Sequence, residues 1–195
     1  MNVIQTHLTL PEGWTKGAVM ALISEVAPHI GLRPARLAVL NYIIGRTRAS
    51  DWTSPHREPV FFGAQDLAAV ELGKTSRQLR TDEAALAKLG LIVKRVAANG
   101  ARYGRAGLGL ILTPLIARLE EFIALRDRLR AERRHLRALK DLRSLRLRHM
   151  KRCIAALPSS AIKDPEIVKI LASFDKWPRS DALSRLGLER LNAHL

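Results

Sequence analysis

A single cysteine, Cys153, stands among 195 residues. It excludes a disulfide framework. The six histidines, at 7, 29, 56, 135, 149 and 194, are scattered, so no metal site with zinc-ligand spacing is expected. Aromatic residues make up only 5% of the chain, too few for an RNA-binding surface built on stacked bases. No apolar run reaches the ~18 residues of a membrane-crossing helix. The N-terminus has no basic stretch followed by an apolar one, so no signal peptide is expected. A reducing, cytoplasmic location follows as the expectation. Acidic residues are also scarce: 18 Asp+Glu face 33 Lys+Arg, a formal net charge of +15. A chain this basic normally meets a polyanion.

What is present is enough for a core, with 47% hydrophobic residues. There is no internal repeat. The length suits one domain with an appendage. Three segments emerge: 1–112, 113–157 and 158–195. The first carries a net charge of +6, the second +8 and the third +1. Within the first, residues 74–105 hold eight basic residues against Asp82 and Glu83. That stretch therefore accounts for the whole excess of its segment.

Val19, Leu22, Ile23 and Val26 follow helical spacing, and Pro28 and Gly31 stop the pattern. Pro34 opens a second helical pattern, with Leu37, Leu40, Tyr42, Ile43 and Ile44, that ends near Gly45. Residues 46–59 are polar and rich in turn formers and read as a loop. Val60-Phe61-Phe62 is β-prone. Leu67, Ala68, Val70 and Leu72 suit a helix of two turns stopped by Gly73. Residues 75–89 are the best-marked helix: Thr75 and Gln78 have capping-box spacing, and Gly90 supplies a stop. Leu91-Ile92-Val93 is strand-like and runs on to Val96. Asn99-Gly100 suits a tight hairpin turn. Arg102-Tyr103 starts a returning strand that glycines 104, 107 and 109 make irregular. Thr113-Pro114 reads as a capping hydroxyl followed by proline, opening an uninterrupted helix to about 157. Asp164-Pro165 starts a further helix to about Phe174. Trp177-Pro178 breaks it, and Ser180 caps a last short one.

The fold class expected is mainly α: a winged helix-turn-helix, then a long basic helix and a short helical tail. In such a domain the second helix of the pair enters the DNA major groove. At about 100° per residue, Leu79, Leu86 and Leu89 define a buried side of helix 75–89. Arg77, Arg80, Thr81, Ala84 and Lys88 fall on the outward side, with no acid among them. Asp82 and Glu83 lie nearer the buried side. Arg77, Arg80 and Thr81 are the candidates for reading bases, since arginine pairs bidentately with guanine. Lys74, Ser76, Lys88, Arg102 and Arg105 are the candidates for phosphate. Lys94 and Arg95 belong to the basic wing beside them, and Thr75, Asn99 and Tyr103 complete the set. Taken one at a time, each of these features is an exposed basic surface of an ordinary domain. Their coincidence in one stretch points to double-stranded DNA.

No enzyme, cofactor or metal is expected. Gly73-Lys74-Thr75 resembles the end of a phosphate-binding loop, but the glycine needed five residues earlier is Ala68. Gly104, Gly107 and Gly109 are in the wrong order for a dinucleotide fingerprint. Cys153 follows Lys151-Arg152, which would lower its pKa, yet it has no His/Asn constellation and reads as an ordinary helix residue.

The long helix has Leu115, Phe122, Leu129 and Leu136 at seven-residue spacing. Its companion seam runs Leu119, Arg126, Arg133, Lys140, which makes a poor stand-alone coiled coil. Packing on its own domain, pairing with a second copy and contact with phosphates are the readings open to it. A homodimer through 113–157 is the expected self-association. No membrane partner is expected, because the apolar face lacks aromatic anchors beyond Phe122.

Several stretches together resemble the N-terminal domain of the plasmid replication initiator protein C family. They are Asp51-Trp52-Thr53, the helix and turn from Leu67 to Gly73, and Leu86-Ala87-Lys88-Leu89-Gly90-Leu91-Ile92. Asn99-Gly100-Ala101-Arg102-Tyr103-Gly104 and Pro114-Leu115-Ile116-Ala117-Arg118 complete the pattern. It covers about residues 5–155, and its order and spacing carry it, since no single motif is specific. The resemblance implies a winged-helix origin-binding protein for plasmid replication, without a catalytic centre, that works with host replication factors. Family members carry a further C-terminal domain, whereas this sequence ends soon after the long helix. A transcriptional regulator on the same fold, or a basic helical scaffold for a protein partner, are the alternatives.

Overall fold

The computed structural model describes residues 6–96, 108–158 and 160–175, with residues 189, 192 and 193 of the tail. The described residues are mainly helical, with one small antiparallel sheet. The chain divides into two compact units, Met1–Asp127 and Arg128–Leu195.

The first unit opens with α1, Lys16–Val26, whose N-terminal N–H of Ala18 donates to the Thr15 hydroxyl. Val19, Leu22, Ile23 and Val26 are its buried residues, as their spacing predicts. Helix α2, Pro34–Gly45, buries Val39, Leu40, Ile43 and Ile44. The segment expected as a loop between 46 and 59 holds a 3-10 turn at Ala49–Trp52. Trp52 is fully buried, and its indole N–H donates to the Thr47 hydroxyl at 2.8 Å. That hydroxyl in turn donates to the Ile44 carbonyl. A polar-looking connection thus plants a core residue and satisfies its one polar atom.

Strand β1, Val60–Phe61, is followed by α3, Gln65–Glu71, α4, Ser76–Lys88, β2, Val93–Arg95, and β3, Gly109–Ile111. The sheet order is β1-β3-β2, all antiparallel, with Ile111 opposite both Val60 and Val93. The strand expected to return from Arg102-Tyr103 falls on residues outside those described. The observed return begins at Gly109, which sequence reading treats as irregular. Gly109 has φ +144°, and a Cβ there would lie 2.5 Å from the Phe61 carbonyl oxygen. The glycine is what lets β3 seat between its neighbours.

The helix expected around 67–72 is present as α3, with Gly73 just beyond it. Its buried residues are Ala68 and Ala69, while Leu67 is 57% and Val70 76% exposed. Small alanines, not the larger apolar residues, face the core. One expectation is corrected: the helix from 113 is not continuous, since α5, Thr113–Ala117, ends at Arg118, and α6 runs Leu119–Ala155. Thr113 lies inside the first turn rather than capping it, and its hydroxyl donates to Glu58 at 3.3 Å. The Arg118 N–H turns back to the carbonyls of Pro114 and Ile116, which closes α5. Leu115, Ile116, Leu119 and Phe122 are buried.

In the second unit the remainder of α6 buries Leu129, Leu139 and Arg143 and leaves Leu142 and Leu145 exposed. Helix α7, Pro165–Asp175, starts as expected, with the Glu166 N–H donating to the Asp164 carboxylate. The break at Trp177-Pro178 and the helix expected after Ser180 lie outside the described residues.

Candidate nucleic-acid interface

Helix α4 is fixed at both ends by local chemistry. At its entry, Gly73 adopts φ +62°, and the N–H groups of Gly73 and Lys74 bond back to Val70 and Ala69, closing α3. Thr75 then completes the capping box: its hydroxyl accepts from Gln78 N–H at 3.2 Å, and its own N–H donates to Gln78 Oε1 at 2.9 Å. At the exit, Gly90 adopts φ +66°, and the Leu91 N–H reaches back to Leu86. Arg118 reinforces this end from the α5–α6 junction, donating from Nη1 to the Leu89 carbonyl at 2.7 Å. The same guanidinium holds both carboxylate oxygens of Glu121 at 2.7 Å and lies over the Phe122 ring. The hydrogen bonds from Arg118 hold the Glu121 carboxyl below its ordinary range. Those same bonds raise Arg118, against a smaller opposing effect of burial.

The buried side of α4 is Leu79, Glu83 and Leu86. Arg77, Arg80, Thr81, Ala84 and Lys88 are all exposed, so the outward face has the composition the wheel predicts. No ion pair engages Arg77, Arg80 or Lys88 among the described residues. Thr81 donates its hydroxyl to the Arg77 carbonyl one turn back. The two acids are turned inward and neutralised. Asp82 receives Lys74 at 2.8 Å and Arg36 at 3.5 Å. Glu83, 1% exposed, receives Lys94 from β2 at 3.4 Å.

This geometry separates the sequence-derived cations into two groups. Lys74 and Lys94 are committed to Asp82 and Glu83, and Arg95 to Glu58 at 2.9 Å. Ser76 donates to Asp66 on α3 at 2.6 Å, and the Thr75 side chain is spent on the cap. These five groups build the helix pair and the sheet edge. Arg77, Arg80, Thr81 and Lys88 are left on the open face. Asn99, Arg102, Tyr103 and Arg105 lie outside the described residues. Sequence reading misses Arg36, Glu58 and Arg118. Each acts across more than twenty residues of chain, at a distance that local spacing does not encode. Glu58 gathers Arg95, Thr113 and, at 3.6 Å, His7.

Fold and site together define a class: a small helical domain that presents one capped, cationic, acid-free helix face beside a three-stranded sheet. The family model of the replication protein C N-terminal domain matches residues 2–157, and the chain belongs to that family. Two relatives carry the name "Putative replication protein C". The one from Rhizobium rhizogenes is 30% identical over 135 residues, covering 65% of this chain and 33% of the relative. The one from Sinorhizobium fredii is 27% identical over 157 residues, covering 76% of this chain and 38% of the relative. The matched stretch thus spans 33% to 38% of these relatives' length. No solved structure matches. Among the described residues no helix is long and apolar enough to cross a membrane.

Proposed function

We propose that the first unit is a winged helix-turn-helix that binds double-stranded DNA sequence-specifically, in the service of plasmid replication initiation. On this reading α3 and α4 are the helix pair, α4 is the recognition helix, and the hairpin between β2 and β3 is the wing. The observation that carries it is the α4 face: three cations without ion pairs and one small residue, with both neighbouring acids neutralised from the inner side. Arginines in that setting suit guanine edges, and an alanine permits close approach. Family membership supports an origin as the target. The activity assigned to the chain is binding, not catalysis. A homodimer through 113–157 and host replication factors belong to the same proposal as partners.

The test is a selection of bound duplexes from random DNA, followed by competition titration on the selected and a scrambled site. Arg80→Ala is expected to weaken the selected site by about 1–3 kcal/mol more than the scrambled one. Equal losses on both would remove α4 as the reading element. A selected site lying at a promoter instead of a replicon origin would favour the transcriptional regulator.

A further inference from the structure

A concave cleft of about 840 Å³ opens in the first unit, between the C-terminal end of α2, the 46–58 segment and the start of α3. Its lining includes Tyr42, Arg46, Arg48, Arg57, Phe62 and Arg95. Two of these cations are already used. Arg46 pairs with Glu71 and stacks on the Tyr42 ring at 5.3 Å, and Arg95 pairs with Glu58. Arg48 and Arg57 are exposed and carry no ion pair among the described residues. The carboxylates of the lining do not neutralise them: Asp51 is buried, and Glu58 is held by Arg95 and His7. Phe62 leaves 47% of its surface open beside them. Tyr42 stands edge-on to the Phe61 ring at 5.8 Å, so the aromatic wall is packed from behind. At Gly63 a Cβ would fall 2.3 Å from the Phe61 ring, so the chain passes that wall only as glycine. Aromatics are scarce in this protein, yet Tyr42, Trp52, Phe61 and Phe62 all fall within one stretch of about twenty residues.

We infer that this cleft binds single-stranded DNA, with Arg48 and Arg57 on the phosphodiester backbone and a base stacked on Phe62. Unpaired cations tracking a backbone, combined with an exposed ring, are the chemistry of sequence-tolerant single-strand sites. The exposed ring decides against a duplex. A duplex keeps its bases stacked and paired inside, so it would leave the Phe62 face unused. The volume is that of a site for a small molecule or a few residues of polymer. None of the cleft residues lies on the α4 face, and Arg95, at the foot of the wing, is the one lining residue that the cleft shares with the duplex-binding set, so the cleft is a second surface beside the wing. The inference rests on the duplex-binding reading only for the polymer being DNA.

The experiment is fluorescence anisotropy of the full chain with a labelled oligothymidylate of about 12 nucleotides and, separately, with a selected duplex. Arg48→Ala/Arg57→Ala is expected to weaken oligothymidylate about tenfold or more and to change duplex affinity less than about twofold. Phe62→Ala should do the same, and Phe62→Tyr should restore binding because the ring face is kept. Arg77→Ala/Arg80→Ala should show the converse. A wild-type chain that does not bind oligothymidylate overturns the inference. So does an Arg48→Ala/Arg57→Ala variant that loses both ligands equally, since one shared surface would then serve both. If no duplex is selected at all, the duplex reading fails while the oligothymidylate arm still decides this one.

Discussion

Glu83 lies almost fully buried on α4, and Lys94 reaches it from β2. Arg80, three residues earlier on the same helix, faces solvent. Both cations belong to one basic cluster in the sequence, and their energetics differ by where the counter-charge sits. Breaking a buried pair by removing one partner costs about 3–5 kcal/mol. Lys94 is itself partly exposed and Glu83 keeps a further interaction, so the cost falls below that range. Lys94→Ala should therefore destabilise the fold by about 2–3 kcal/mol in urea denaturation. Arg80→Ala should stay within about 0.5 kcal/mol, as exposed substitutions do. A Lys94→Ala variant as stable as wild type, with weakened DNA binding, would return Lys94 to the contact surface.

At the scale of elements, α4 was the most legible part of the sequence, because its determinants are local. The capping box, Gly73, Gly90 and the spacing of Leu79 and Leu86 all lie within eighteen residues. Strand β3 was the least legible. Its Gly109 is required by the Phe61 carbonyl, almost fifty residues away, and reads locally as a strand breaker. Arg118 is of the same kind: an arginine in a basic helix gives no sign that it closes the far end of α4. Its bonds to Leu89 and Glu121 involve a charged donor, each worth about 1.5–3 kcal/mol at most, discounted for the exposure of Glu121. Arg118→Met should cost about 1–3 kcal/mol near neutral pH. The Glu121 carboxyl is depressed in the folded chain, so its share of stability is complete above the unfolded value near about 4.3. That share is lost as pH falls through the folded value. The penalty of Arg118→Met should accordingly shrink in denaturation runs at about pH 3, and an unchanged penalty would show that the Leu89 bond carries all of it.

For the whole molecule, the excess of positive charge is not equivalent to the charge available to a ligand. Lys74, Lys94 and Arg95 neutralise acids of the same chain, and Lys16 is spent on the carbonyls of Gly45 and Thr47 at the end of α2. On residues 74–105 that leaves Arg77, Arg80 and Lys88, with Arg102 and Arg105 the remaining basic residues of the stretch. At about −0.9 per phosphate contact, log K for a selected duplex should fall against log salt with a slope between about −3 and −5. A titration across salt concentrations measures it directly. A slope near zero would exclude phosphate neutralisation as the basis of binding, and one much steeper than −5 would mean that the arginines of α6 also meet the duplex.

The close seating of Gly109 against Phe61 has a consequence for how this surface can change over time. Both feet of the β2–β3 hairpin are clamped, Arg95 opposite Gly109 and β3 locked between two neighbours. A side chain at position 109 would be driven into the Phe61 carbonyl, and a slip of register would bring a residue with a side chain to that same spot. Sequence change at β3 is therefore held to one residue type and one alignment, and the sheet beside α4 inherits that restriction.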